Sequence, residues 1–153
     1  KEILGENHPD TLMALNNLAS SYDDTGEKTK ALELYKEVYE KSKEILGENH
    51  SDTLLVLSNL AFTYDEIEEK EKALELFKKV YEKRKEILGD DDEKTLVTLN
   101  NVACLYKKTG DEIKSLELYK ELYSKLKAKF GENHKKTLKI KGIIESIQNN
   151  KET

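Results

Sequence analysis

An eight-residue phrase that returns at a fixed interval restricts what this chain can fold into. KEILGENH is read at Lys1 to His8 and again, letter for letter, at Lys43 to His50; it comes back as KEILGDDD at Lys85 to Asp92 and as KAKFGENH at Lys127 to His134. Gly5, Gly47, Gly89 and Gly131 therefore stand 42 residues apart. A fixed period of roughly 20 to 50 residues marks stacked repeats, units too small to bury their own apolar face, which lean on their neighbours.

With one proline and seven glycines in 153 residues, the segments between these phrases read as helices. Gly5 has the character of a residue just past a helix end, Pro9 suits a first helical position, and Asp10 behind it complements the helix dipole. A helix from Pro9 sets Leu12, Leu15, Leu18, Ala19 and Tyr22 on one apolar face until Gly26 stops it. A second helix from about Glu27 to Leu46 is expected to bury Ala31, Leu34, Tyr35, Val38 and Ile45. The next repeat offers Leu54, Leu57, Leu60, Ala61 and Tyr64, then Ala73, Leu74, Leu76, Phe77, Val80 and Tyr81. The third offers Leu96, Leu99, Val102, Ala103 and Tyr106, then Ser115, Leu116, Leu118, Tyr119, Leu122 and Tyr123.

The turn of the second repeat lacks glycine, with Ile67-Glu68-Glu69 where the others have Thr25-Gly26-Glu27 and Thr109-Gly110-Asp111. Asp92 replaces histidine at the start of the third repeat and is the better N-cap. After Gly131 the register puts Lys141, Glu145 and Gln148 where leucine, alanine and tyrosine stood, and the apolar residues move to Ile140, Ile143, Ile144 and Ile147. That predicts a terminal capping helix, one side on the last repeat and the other in water. Asn149 to Thr153 are expected to fray.

The expected organisation is one domain over residues 1–153: residues 1–4 as the tail of an upstream repeat, repeats over 5–46, 47–88 and 89–130, and a capping helix with its tail over 131–153. Charged residues make up 37% of the chain at net charge −5, both signs dense, which describes a solvated helical surface and lacks the basic excess of a phosphate-binding protein. No apolar run approaches the roughly 18 residues of a membrane span. A single cysteine, Cys104, leaves no intramolecular disulfide and fits a reducing compartment. The expectation is a cytoplasmic protein with no nucleic-acid or membrane partner.

In this register the unit resembles the tetratricopeptide repeat (TPR), in the 42-residue form of the kinesin light chains. The resemblance rests on L-x-x-L-A-x-x-Y at Leu15 to Tyr22 and Leu57 to Tyr64, with Val102 inside the copy from Leu99 to Tyr106. It rests also on Ala31-x-x-x-Tyr35, Ala73-x-x-x-Phe77, Ser115-x-x-x-Tyr119, and the phrases HPDTL and LNNLA at His8 and Leu15. The closing proline of the usual repeat is absent, so the second helix runs on, by about 12 Å over the 34-residue form. The resemblance implies an all-α fold, a right-handed α-solenoid of helix-turn-helix repeats, whose first helices line a concave groove that takes a peptide or partner segment.

The row that would face that groove is Met13, Asn16, Asn17, Ser20 and Asp23, then Leu55, Ser58, Asn59, Phe62 and Asp65, then Val97, Asn100, Asn101, Cys104 and Lys107. An amide offers one donor and one acceptor side, which matches an extended backbone, while Met13, Leu55, Phe62 and Val97 suit apolar side chains. The competing reading of Asn17, Asn59 and Asn101 is that they bond across neighbouring helices and set the repeat angle. Asn16 and Asn100 are expected to be less constrained by packing. The acidic pairs Asp23-Asp24 and Asp65-Glu66 give way to Lys107-Lys108, either a groove with opposite charge at its ends or ordinary solvated helix ends.

Other chemistry finds little support. His8, His50 and His134 lie a repeat or more apart and read as turn and cap residues, so neither metal nor cofactor is expected. Asp90 to Glu93 lacks the alternating ligands of a calcium loop. Cys104 reads as a small packing residue. With no phosphate loop, nucleophile elbow or convergent acid–base pair, the expected function is a non-enzymatic protein–protein interaction module. The alternatives are a structural spacer that stacks on itself through the amino-terminal repeat, or a regulatory domain of a larger protein.

Overall fold

The computed structural model describes residues 5–150, so the expectations for Lys1 to Leu4 and for the last three residues fall outside the described residues. Seven helices follow in order: α1 Pro9–Asp24, α2 Lys28–Leu46, α3 Ser51–Glu66, α4 Lys70–Leu88, α5 Glu93–Lys108, α6 Glu112–Phe130 and α7 Lys135–Asn149. No strand occurs among the described residues. The chain falls into two compact units, Lys1–Val80 and Tyr81–Thr153, with α4 running from one into the other. In the first, α1 packs on α2, and α3 packs on both; in the second, α6 packs against α5 and α7. Among the described residues no helix is long and apolar enough to cross a membrane.

Local chemistry sets the helix ends. Nδ1 of His8, His50 and His134 accepts the backbone N–H of Asp10, Asp52 and Lys136 at 3.1 to 3.2 Å, and Asp92 does the same for Lys94 at 2.8 Å. The histidines are thus N-caps, spent on the orphan donors of a helix start. The three inter-helix turns share a doubly bonded C-cap: Gly26, Glu68 and Gly110 bond back three residues, and Glu27, Glu69 and Asp111 bond back five. That geometry needs a left-handed residue, and φ is 82° at Gly26, 91° at Gly110 and 65° at Glu68. The second turn keeps its shape without glycine, at the steric cost of a Cβ in that conformation.

The first helices of the hairpins carry two buried stripes where the sequence suggested one. Leu57, Ala61, Leu99 and Ala103 belong to the expected stripe, which meets the second helix of the same hairpin. A second runs through Thr53, Val56 and Thr63 in α3 and Thr95, Thr98 and Leu105 in α5, taking in Leu60 and Val102 of the expected face, and continues in α7 as Thr137 with the expected Ile140 and Ile147. In the first unit Leu60 packs in one cluster with Leu12, Ala31, Tyr35 and Val38 of the preceding hairpin. Leu18 holds the same register in α1 and is 45% exposed, against expectation, because no described element lies on that side. Ile45 is exposed too, and α2 buries Tyr39 and Ser42 in its stead. In α7 only the second stripe survives, and Lys141, Glu145 and Gln148 meet water, as a capping helix requires.

Candidate functional site

Between these stripes lies the row singled out in the sequence, and its members differ in environment. In the first unit Asn17 is exposed, Met13 and Ser20 are half-buried, and Leu55 and Phe62 of α3 are 38% and 45% exposed. Phe62 is braced edge-on by Phe77, ring centroids 4.8 Å apart, so its exposed face has a fixed direction.

Asn16 departs from the expectation that it is lightly packed. It is 4% exposed, and its Oδ1 accepts from Asn59 Nδ2 at 3.1 Å, joining α1 to α3. Ser58 is buried and donates to Leu54 O at 2.8 Å. In this unit part of the amide row therefore serves the stacking of hairpins, while Asn17 faces solvent.

The second unit is built differently at the same register. Val97 is 57% exposed, and Asn100, Asn101 and Cys104 are half-buried. The residue of α7 that corresponds to Asn59 is Ile143, which has no amide to offer Asn100. α3 makes a close backbone approach to α1, whereas α7 rests on α6 and makes none to α5. Between α5, α6 and α7 there is a cavity of about 220 Å³, lined by the buried Leu96, Leu122 and Leu126 and by the exposed Val97. Glu93, Asn100, Lys136 and Lys139 supply its polar edge. Lys136 reaches Glu93 at 3.0 Å. Such a well takes an apolar side chain of about its own size, with amide and ammonium groups at its mouth for backbone carbonyls or a carboxylate.

The expected charge pattern is partly neutralised from within. Lys28 Nζ lies 2.6 Å from Glu66 and 3.1 Å from Asp23, bridging the carboxyl ends of α3 and α1. The hydrogen bond to Glu66, with Asp23 adding to it, raises the Lys28 ammonium above its ordinary value against a smaller effect of burial. Asp24, Lys107 and Lys108 are exposed, and Asp65 is half-buried.

Of the residues that line the cavity from α6 and α7, Leu122 was expected only as core, and Leu126, Lys136 and Lys139 were not singled out in the sequence. Lys139 was legible, since it stands 42 residues after Val97 in the same row. Sequence reasoning also passed over Arg84, whose signal was its rarity, the one arginine in the chain.

Comparison with known proteins agrees with this architecture. The tetratricopeptide repeat model matches residues 1–44, 29–86 and 71–128. Among curated protein sequences no relative matches. A Podosopora anserina structure described as kinesin light chain nearly identical TPR-like repeats superposes with a TM-score of 0.79 at 21% identity, over 92% of this chain and 66% of that one. BtubC (BKLC) from P. vanneervenii gives 0.80 at 18% identity, over 93% of this chain and 57% of that one. The N-terminal domain of stress-induced protein-1 from C. elegans gives 0.68 at 14%, over 91% and 95%. The chain thus spans about two thirds or less of the first two structures, and at these identities the likeness is one of fold, an α-solenoid of helix-turn-helix repeats.

Proposed function

The chain belongs to the tetratricopeptide repeat family, whose repeats are protein–protein interaction modules, and on that premise we propose that it binds a partner segment along the exposed row of its first helices. The reading is non-enzymatic: side chains hold the segment and no group is placed to transform it. What carries it is the cavity between α5, α6 and α7, where Val97 and Asn100 from the row meet an apolar floor and a lysine edge. Leu55 and Phe62 in the first unit support it, as exposed apolar groups on a helix face otherwise charged or packed. An extended segment would place an apolar side chain in the well and present its backbone to Asn100 and Asn101. The groove, its residues and a cytoplasmic location are parts of this proposal.

Binding of peptides selected from a random display library, measured by fluorescence anisotropy, tests it. Val97→Glu puts a charge over the well and is expected to weaken the selected peptides at least about tenfold, near 1.4 kcal/mol, without lowering helix content. Peptides that bind Val97→Glu and Phe62→Ala as well as the parent would remove the groove reading.

The self-stacking reading has one observation in its favour, the 45% exposure of Leu18 at a register where Leu60 is covered by a hairpin. It predicts a weight-average mass that rises with concentration and falls back in Leu18→Lys; a constant monomer mass excludes it.

A further inference from the structure

We propose that His134 is an acid-sensitive latch on α7: its neutral ring holds the start of the helix, and protonation frees the helix from α6 and opens the cavity that it walls. Nδ1 of His134 accepts the backbone N–H of Lys136 at 3.2 Å, which requires a bare lone pair on that nitrogen. Protonation puts a hydrogen there instead, so the cap bond is lost and a cation is left at the positive end of the helix dipole. An imidazole ordinarily titrates at about 6.5 and a carboxylate at about 4. The stabilisation from a histidine cap is therefore present above the imidazole range and lost as the pH falls through it. A carboxylate cap such as Asp92, which accepts from Lys94 at 2.8 Å, goes on accepting in mild acid.

The surroundings of His134 set it apart from the other two histidine caps. Nδ1 of His8 and of His50 lies 3.8 Å from a carboxylate oxygen of Asp10 and of Asp52, so an imidazolium there gains an ion pair in place of the cap. Two places after His134 the chain has Lys136 instead. The other charged or titratable groups at this corner are Tyr123, Lys127 and Lys129 of α6, Glu132 in the turn, Lys135 beside the ring, and Glu93 of α5. Both carboxylates are engaged. Glu132 lies 3.4 Å from Lys127 Nζ and accepts from the Tyr123 hydroxyl at 3.4 Å, and Glu93 pairs with Lys136 at 3.0 Å. The His134 ring stacks on Phe130, centroids 4.7 Å apart, but that aromatic group already serves two ammonium groups, Lys129 and Lys136, at 5.9 and 5.0 Å from its centroid. An imidazolium at His134 thus joins a cluster of lysines, and among the described residues no ion pair links it to a carboxylate.

The helix it starts is lightly held. Within its unit α7 packs on α6 alone, whereas α1 packs on α2 and α3. Of the fifteen residues of α7 only Thr137, Ile140 and Ile147 are buried, so one lost cap weighs heavily on its local opening. Opening takes Lys136, Lys139 and Ile140 away from the cavity and uncovers Leu122 and Leu126. The consequence for binding rests on the groove reading above: mild acid dismantles the well and releases the segment held there.

Amide exchange of the ¹⁵N-labelled chain, followed by NMR at about pH 7.5 and about pH 5.5 and corrected for intrinsic rates, reads the latch directly. Protection in α7 is expected to fall at least about fivefold relative to α5, and protection in α1 and α3 by less than about twofold. In His134→Asn, a cap that does not titrate, protection of α7 relative to α5 should change by less than about twofold over the same range. His134→Asp, which copies Asp92, should hold α7 in the same way and guards against a folding defect in the first variant. Unchanged protection of α7 in the parent, an equal loss in His134→Asn and His134→Asp, or an equal loss in α1 and α3 would each overturn the proposal. Failure of the groove reading is seen separately, as display peptides that bind Val97→Glu as well as the parent, and the exchange result needs no peptide.

Discussion

At Asn59 a side-chain amide is committed inside the fold, which separates residues that look alike in the sequence. Asn59→Ala strips the donor from the Asn16 oxygen, 4% exposed, and an unsatisfied buried acceptor costs about 1–2 kcal/mol. Asn17→Ala, at the same repeat position on α1 but exposed, is expected to change stability by less than about 0.5 kcal/mol. Urea unfolding of the two variants checks this, and equal stabilities would contradict it. Asn17, Asn59 and Asn101 share a register and a letter, so their different duties were not legible: they depend on which helix lies opposite, a tertiary fact. The histidine caps were legible, because an N-cap answers to a side-chain acceptor one position before the helix. Arg84 was visible as a lone arginine, but its burial and its bond to Thr98 arise only where α4 and α5 meet.

For the helices and turns, the period carried most of the information. The start of α1 at Pro9 and the end of α2 at Leu46 follow from the repeated glycines, the caps and the apolar spacing, and the absence of glycine at Glu68 set the second turn apart in the sequence. The φ of 65° at Glu68 gives that difference a physical form. Glu68→Gly, which supplies the residue found at Gly26 and Gly110, is expected to stabilise the protein by about 1 kcal/mol, raising Tm by about 2–4 °C. Unchanged or lower Tm in calorimetry would show the turn to be relaxed with glutamate in place. The second buried stripe was hidden for a plain reason: Thr53, Thr63, Thr95 and Thr98 are polar letters, and their burial comes from a neighbouring hairpin instead of their own. The cavity was hidden because its lining comes from three helices, α5, α6 and α7, that only the tertiary structure brings together.

Across the molecule, charge divides along the chain. Residues 1–80 hold 10 lysines against 18 acidic residues, a net −8, and residues 81–153 hold 16 basic residues against 13 acidic ones, a net +3. Stability should fall on the alkaline side. Burial raises Tyr35, Tyr81 and Tyr119 above the ordinary value of 10.0, so the folded chain holds these protons more tightly than the unfolded one. Their contribution is intact below about pH 10 and is lost as the pH climbs beyond it. Absorbance at 295 nm should show the exposed tyrosines ionising first and the buried ones only together with loss of helix; a single early transition at full helicity would refute this.

The most direct test of the central claim, that the exposed row of the first helices is where a partner is held, is hydrogen exchange of the chain with and without a peptide selected from a random library. The account predicts that the peptide slows exchange in α5 and α7 around Val97, Asn100 and Lys139, and leaves the outer, charged surface of α2 unchanged. Slowing confined to that outer surface, with α5 and α7 unaffected, would contradict it.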